Sequence, residues 1–232
     1  MPPTGVTRFD VGRNVIPMRV EEPKEKYLDQ WFGLPDADLA RVRARMLGTG
    51  LEAMSISSAE ARILQFLIRG FGVRKVVEFG TFLGYSALAM AKALPSDGLV
   101  VTVEKDPKHH AWAAETFKAS PDGRKVVSLS GDAHDLMAEI EGRGPYDLAF
   151  VDADKSGYPN YLNWCEKNVR RGGLIVGDNT FLWGALWNQP EREIPDVEVR
   201  AMSEFNRRLS DPARYNSILI PSREGMTVAQ RL

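Results

Sequence analysis

From residue 75 onward, short apolar runs alternate with segments whose apolar residues recur every three or four positions. The runs are residues 75–80, 99–104, 126–130, 147–152 and 173–178, each bounded by glycine, proline or aspartate. They are near-continuously apolar rather than alternating, as expected of strands covered by helices on both faces. Between them the pattern predicts helices. One covers residues 84–94, and a second starts at Asp106-Pro107, where a capping side chain precedes a proline at the first helical position. Asp132 opens a third, which carries Leu136 and Ile140 on one side. Five strands with intervening helices imply an α/β fold with a doubly wound parallel sheet. The chain ends differently: residues 217–220 and 226–229 flank Pro221-Ser-Arg-Glu-Gly225 and read as a hairpin. The expected sheet is therefore seven-stranded and mostly parallel, closed by an antiparallel C-terminal hairpin strand.

The first 70 residues form a helical appendage to that sheet. Pro35-Asp36 starts a helix with Leu39, Val42, Met46 and Leu47 on its apolar side. Ser57 and Glu60 have capping-box spacing ahead of the apolar run 63–68, and Gly70 is placed to end that helix. The longest stretch without periodicity, residues 179–196, is long enough for a functional loop. With no repeat and no low-complexity segment, one domain over 1–232 is expected, with a helical segment at 1–70 and a sheet core at 71–232.

Composition narrows the function classes. Thirty Lys and Arg against 31 Asp and Glu give a formal net charge of −1. Without a basic surplus or stripe, nucleic acid is not an expected partner. The lone cysteine, Cys165, has no intramolecular partner, which suits a reducing compartment. No apolar run is long enough to cross a bilayer; residues 83–91 are cut off by Lys92. The opening Met-Pro-Pro-Thr-Gly-Val-Thr-Arg lacks a hydrophobic signal segment, so a cytoplasmic location is expected.

Three constellations carry chemistry. Glu78-Phe-Gly80-Thr-Phe-Leu-Gly84-Tyr-Ser86 leaves the first strand and enters a helix, where glycines let the backbone approach a ligand. Its spacing is Gly-x-x-x-Gly, not the Gly-x-Gly-x-x-Gly of dinucleotide enzymes. Glu104 ends the second strand, 24 residues after Gly80, where a carboxylate can accept from both ribose hydroxyls of a nucleoside. Together these suggest a nucleoside-containing cofactor without choosing between NAD and S-adenosylmethionine. The third constellation chooses. Asp152 follows the fourth strand, and Asp178-Asn179 follows the fifth. Three oxygen donors converging at neighbouring strand ends suit a hard divalent cation more than zinc. Lys155, three residues after Asp152, becomes a usable general base beside such a cation. His109 and His110 fall at an apparently exposed helix start and have no ligand-type spacing, nor does His134.

These residues resemble the cation-dependent class I O-methyltransferases, which include caffeoyl-CoA and catechol O-methyltransferases and bacterial relatives. The resemblance runs from about Leu51 to the C-terminus. It is carried by the segment from Glu78 to Ser86, by Val151-Asp-Ala-Asp-Lys-Ser-Gly-Tyr-Pro-Asn-Tyr161 and by Gly177-Asp-Asn-Thr180. Met54-Ser-Ile-Ser-Ser-Ala-Glu60 and Glu224-Gly-Met-Thr-Val-Ala-Gln-Arg231 add to it.

The resemblance implies Mg²⁺-dependent methyl transfer from S-adenosylmethionine to a hydroxyl of a catechol-like or phenolic small molecule. Ca²⁺ and Mn²⁺ are the alternative cations, and a homodimer is expected. Glu78, Gly80, Thr81 and Ser86 match the positions that hold the methionine part of the cofactor, with Ile56 adding backbone contacts. Glu104 matches the ribose-binding acid. Ala133 matches the adenine-contacting position, with Asp132 and His134 beside it. Asp152, Asp178 and Asn179 match the metal ligands, Asp152 also bordering the cofactor, and Lys155 matches the catalytic base. One departure stands out: plant members have Asp-Asn-Thr-Leu-Trp-Asn where this chain has Asp178-Asn-Thr-Phe-Leu-Trp183. Phe181, Trp183 and Trp187 are thereby candidates for an apolar lid over a smaller acceptor, or for a core or interface cluster. An NAD-linked dehydrogenase and a methyltransferase-like binding module are the competing readings.

Overall fold

The computed structural model describes residues 23–33, 35–47, 50–51 and 54–232. The opening eight residues, in which no signal segment was found, lie outside the described residues. Seven strands form one sheet in the order β3-β2-β1-β4-β5-β7-β6. The strands are β1 (Lys75–Phe79), β2 (Leu99–Glu104), β3 (Val126–Ser130), β4 (Tyr146–Val151), β5 (Val169–Asp178), β6 (Tyr215–Ile220) and β7 (Met226–Arg231). The first five run parallel, and β7 is antiparallel to both β5 and β6. The doubly wound sheet with its closing hairpin is thus as expected. The strand order reverses direction at β1, which lies between β2 and β4, and ligands of such sheets bind at the carboxyl edge of this switch point.

Eight α-helices accompany the sheet among the described residues: α1 (Pro23–Phe32), α2 (Ala37–Met46), α3 (Ser58–Gly70), α4 (Tyr85–Ala93), α5 (Pro107–Lys118), α6 (Ala133–Glu141), α7 (Tyr158–Asn168) and α8 (Asp196–Leu209). Val76 of β1 packs with Leu39, Leu64, Leu88 and Phe117 from α2 to α5 on one face. Val77, the next residue, packs with Ile140, Leu162, Met202 and Phe205 from α6 to α8 on the other. This alternation is why β1 needs apolar residues at successive positions. β3 departs from it. As the edge strand it is only half-buried, because one side of it has no neighbour.

The helix caps decide several boundaries. Asp36, Asp106 and Asp132 each accept backbone N–H bonds at the starts of α2, α5 and α6, and Ser57 with Glu60 forms the capping box of α3. α3 ends at Gly70 as expected, but Gly70 is not the residue that closes it. The left-handed residue is Gly72 (φ +60°), and Val73 N–H reaches back to the Ile68 carbonyl at 2.9 Å, a Schellman closure. Leu47 is also a correction. At ψ 129° it has left the helix, so the periodicity that buries Leu39, Val42 and Met46 no longer applies, and it stays 73% exposed. Lys92 on α4 bonds Asp36 and Asp38 at 2.9 Å each, fastening α2 to the sheet layer.

Candidate active site

The carboxyl ends of β1, β2, β4 and β5 open into a cavity of about 760 Å³. Its floor begins where β1 ends. Gly80 has φ +97°, and a Cβ there would stand 2.1 Å from the Asp152 carbonyl oxygen, so only glycine lets this turn lie against the end of β4. Gly84, also left-handed, opens α4 without a side-chain cap. The turn between them is held by one acid. The Glu104 carboxylate accepts the amides of Thr81 at 3.1 Å and Phe82 at 2.7 Å, and its other oxygen accepts the Asp106 amide at 2.9 Å. Gly80, Thr81, Ser86 and Glu104 line the cavity with Ile56, whose carbonyl accepts from Arg43.

Glu78 is placed differently from these. It is fully buried and does not line the cavity; Thr102 donates to its Oε2 at 2.6 Å, and its Oε1 has no partner. Burial pushes its carboxyl up to about 8, and the nearby hydroxyls of Ser86 and Thr102 offset only part of that.

Asp132 and Ala133 line the cavity beyond Glu104. The His134 amide, which Asp132 caps, holds the Asp132 carboxyl below its ordinary range. His134 stacks on Tyr161 with centroids 5.4 Å apart, and the Tyr161 hydroxyl donates to Asp154 at 2.7 Å. His109 corrects the expectation of exposure. Its side chain is only 17% exposed, lies edge-on to Phe82 at 4.9 Å and lines the cavity. Because Asp106-Pro107 starts α5 at the sheet's carboxyl edge, the first turn of that helix carries His109 back towards the cavity.

The β4 and β5 ends complete the wall. Val151 pairs with Gly177, so Asp152 and Asp178 follow side by side. Asp152, Asp178, Asn179 and Lys155 all line the cavity, as does Glu60. Lys155 Nζ donates to Asp152 Oδ1 at 3.2 Å and to the Tyr158 hydroxyl at 2.8 Å. Asp178 is buried with Oδ1 unpartnered, and burial pushes its carboxyl well above the ordinary range, with Asp152 and Glu60 adding to the rise. Burial likewise keeps the Tyr158 hydroxyl far from ionising. An unpartnered carboxylate oxygen beside a second acid and an amide suits a divalent cation, which would supply the missing charge. The fit lies in two acids and an amide: among the described residues, no three His, Cys, Asp or Glu side chains are grouped to hold a metal.

The 179–196 loop splits the three aromatic residues. Trp183 lines the cavity in a left-handed conformation (φ 49°, ψ 41°), with the Arg192 guanidinium 3.7 Å from its ring centroid. Phe181 and Trp187 instead pack on each other at 5.2 Å. Arg192 and Arg223 line the cavity and went unnoticed in the sequence pattern. Arg223 arrives through the β6–β7 turn, which bonds the amides of Thr180 and Phe181.

Comparison with known proteins decides the family. The O-methyltransferase family model matches residues 36–232. The chain belongs to the O-methyltransferase family. It is 30% identical over 218 residues to the catechol O-methyltransferase of Niastella koreensis, covering 91% of this chain and 97% of the relative. It is 33% identical to the caffeoyl-CoA O-methyltransferase of Stellaria longipes, covering 77% of each. Among solved structures, the O-methyltransferase TomG from Streptomyces achromogenes in complex with S-adenosylmethionine superposes with a TM-score of 0.79 at 28% identity, over 90% of this chain and 95% of that one. The Bacillus cereus O-methyltransferase in complex with S-adenosylhomocysteine gives 0.81 at 28% identity, over 90% and 97%. The chain is accordingly an S-adenosylmethionine-dependent O-methyltransferase, and the dehydrogenase and binding-module readings fall away. As in the expectation from hydropathy, no helix among the described residues is long and apolar enough to cross a membrane.

Proposed function

We propose that this O-methyltransferase is cation-dependent and methylates a hydroxyl of a catechol-like or phenolic small molecule. The observation that carries this reading is the unpartnered Asp178 Oδ1 beside Asp152 and Asn179, on the same cavity wall as Lys155 and the glycine turn. Asp152, Asp178 and Asn179 would hold the cation, with Mg²⁺ first and Ca²⁺ or Mn²⁺ as alternatives. When bound, S-adenosylmethionine supplies an electrophilic methyl group and the cation supplies positive charge at the acceptor oxygens.

The chain's own residues do the rest. Gly80, Thr81, Ser86 and Ile56 receive the methionine part, Glu104 the ribose, and Ala133 with Asp132 the adenine end. Lys155, placed by Asp152 and Tyr158, acts in its amine form to take the proton from the acceptor hydroxyl, becoming the ammonium. Trp183 and Arg192 cover the acceptor end and limit water there. Tyr27, Trp31 and Phe32 on α1 and Phe66 on α3 leave exposed apolar surface for the homodimer this reading includes, and a cytoplasmic setting accords with the unpaired, buried Cys165.

Labelled methyl transfer to a panel of catechols, with and without EDTA, tests the reading. Incorporation should disappear with the chelator and return with Mg²⁺. Turnover indifferent to chelation would overturn the cation, and failure on every catechol would overturn the acceptor class.

A second expectation concerns Glu78. A carboxyl at about 8 is mostly protonated at pH 7 in the free protein. An ammonium group bound in the cavity above Glu78 favours the ionised form, so binding should release a proton. Calorimetry with S-adenosylhomocysteine in buffers of different ionisation enthalpy should show about one proton released at pH 7. The release should fade as the pH rises above the free-state value, where the proton is already gone. Glu78→Gln should abolish it; a wild-type protein that releases none at pH 7 refutes the assignment.

A further inference from the structure

We infer that the Tyr158 hydroxyl is a positioning group of the catalytic centre, tying the ends of β4 and β5 and Lys155 into the arrangement that receives the cation. The inference rests on the cation reading above and adds a residue with which that reading does nothing beyond holding Lys155.

The register of β4 on β5 ends at Val151 and Gly177. Asp152 N–H still bonds the Phe79 carbonyl of β1 at 2.9 Å and Asp178 still pairs with Met226 of β7, but the β4–β5 ladder gives Asp152 and Asp178 no direct tie. Tyr158, the first residue of α7, supplies one. It is fully buried, and its oxygen lies 3.0 Å from the Val151 carbonyl, 2.8 Å from the Asp178 carbonyl and 2.8 Å from Lys155 Nζ. The Val151 carbonyl belongs to the peptide that leads into Asp152, and the Asp178 carbonyl to the peptide that leads into Asn179. A phenol donates one proton and can accept another. Its proton serves the two carbonyls, and its lone pair accepts from the Lys155 ammonium. One oxygen thus joins both strand ends to the lysine.

The ring is itself locked in place. Phe205 of α8 meets it edge-on, with centroids 5.0 Å apart and an interplanar angle of 72°. Phe205 fits there because residue 177 is glycine; a Cβ at that position would lie 2.6 Å from its ring. A core-filling tyrosine would need its ring alone. Here all three polar contacts of the hydroxyl go to elements of one centre, which is the mark of a group that orients ligands.

Tyr158→Phe keeps the ring and removes only the oxygen. With Mn²⁺ as the probe, followed by electron paramagnetic resonance, affinity should fall roughly 10–100-fold, with an altered spectrum for the bound ion. Calorimetric affinity for S-adenosylhomocysteine should stay within about twofold, since the cofactor end is untouched. Phe205→Leu disturbs the same packing without touching the oxygen. It should lower the thermal midpoint and leave Mn²⁺ affinity near wild type. Mn²⁺ held as tightly by Tyr158→Phe as by wild type overturns the inference, and so does an equal loss in Phe205→Leu, which would reduce the effect to packing. A wild-type protein that fails to bind Mn²⁺ overturns the cation reading itself, and the inference with it.

Discussion

Asp178→Asn is expected to abolish cation-dependent methyl transfer while making the cation-free protein more stable. The two effects have one cause. Asp178 is buried, its Oδ1 has no partner, and Asp152 and Glu60 both disfavour its charge. Such a carboxylate is costly to the fold, and an amide of the same shape relieves the like-charge repulsion while still offering an oxygen. The gain should be about 1 kcal/mol, because the charge and its repulsion go while a buried polar oxygen remains. For a chain of this size that is roughly 2–4 °C in the thermal midpoint per kcal/mol. Activity moves the other way: losing a charged ligand should cut kcat/KM by ~10³-fold or more, if charge stabilisation of several kcal/mol is at stake. Thermal melts with and without Mg²⁺ provide the check. Wild type should gain stability from the ion and the variant should gain little. A variant that is less stable than wild type without ion, or that keeps a tenth of the activity, contradicts the account.

That opposition between stability and activity marks where sequence patterns are informative and where they are not. β1, β2, β4 and β5 could be read from the chain because a strand buried on both faces must be apolar at successive positions, and Val76 and Val77 serve opposite cores. The caps at Asp36, Ser57, Asp106 and Asp132 were legible because their chemistry is local. The end of α3 at Gly70 was legible, but with two glycines close together only backbone geometry shows that Gly72 takes the left-handed position. Leu47 misled because helical periodicity continued one residue past the helix.

The site divides along the same line. Asp152, Asp178, Asn179 and Lys155 stand at strand ends or just past them, so topology brings them to one edge of the sheet. Arg223 reaches the cavity through hydrogen bonds between the β6–β7 turn and residues 180–181, a contact no local pattern encodes. His109 had a usable signal that went unread: a helix started by Asp106-Pro107 directly after Glu104 must show its first turn to whatever Glu104 faces. Glu78 was expected to hold the methionine part of the cofactor, and its place beneath the cavity surface, bonded to Thr102 of the neighbouring strand, is a tertiary feature no local pattern encodes.

The sharpest test of mechanism lies at Lys155. Its side chain is only 10% exposed, and its ammonium group is fixed by Asp152 Oδ1 at 3.2 Å and the Tyr158 oxygen at 2.8 Å. Two roles are compatible with that position: a proton acceptor for the substrate hydroxyl, or a fixed positive charge that balances the acids. Two substitutions separate them. Lys155→Met removes both functions and should lower kcat by roughly 10²–10⁴-fold, the range for losing a positioned general base. Affinity for S-adenosylhomocysteine should hardly change, since the hydrogen bonds of the lysine go to the Asp152 carboxylate and Tyr158, not to the glycine turn or Glu104. Lys155→Arg keeps the charge and can still pair with Asp152, but a guanidinium does not give up its proton in a protein. If Lys155 takes the proton, the arginine variant should be about as inactive as the methionine variant. If charge balance is the whole role, the arginine variant should approach wild-type turnover. Single-turnover methyl transfer makes the comparison, because it reads the chemical step apart from product release. An arginine variant retaining a tenth or more of the wild-type rate would remove Lys155 as the base and leave it a fixed cation.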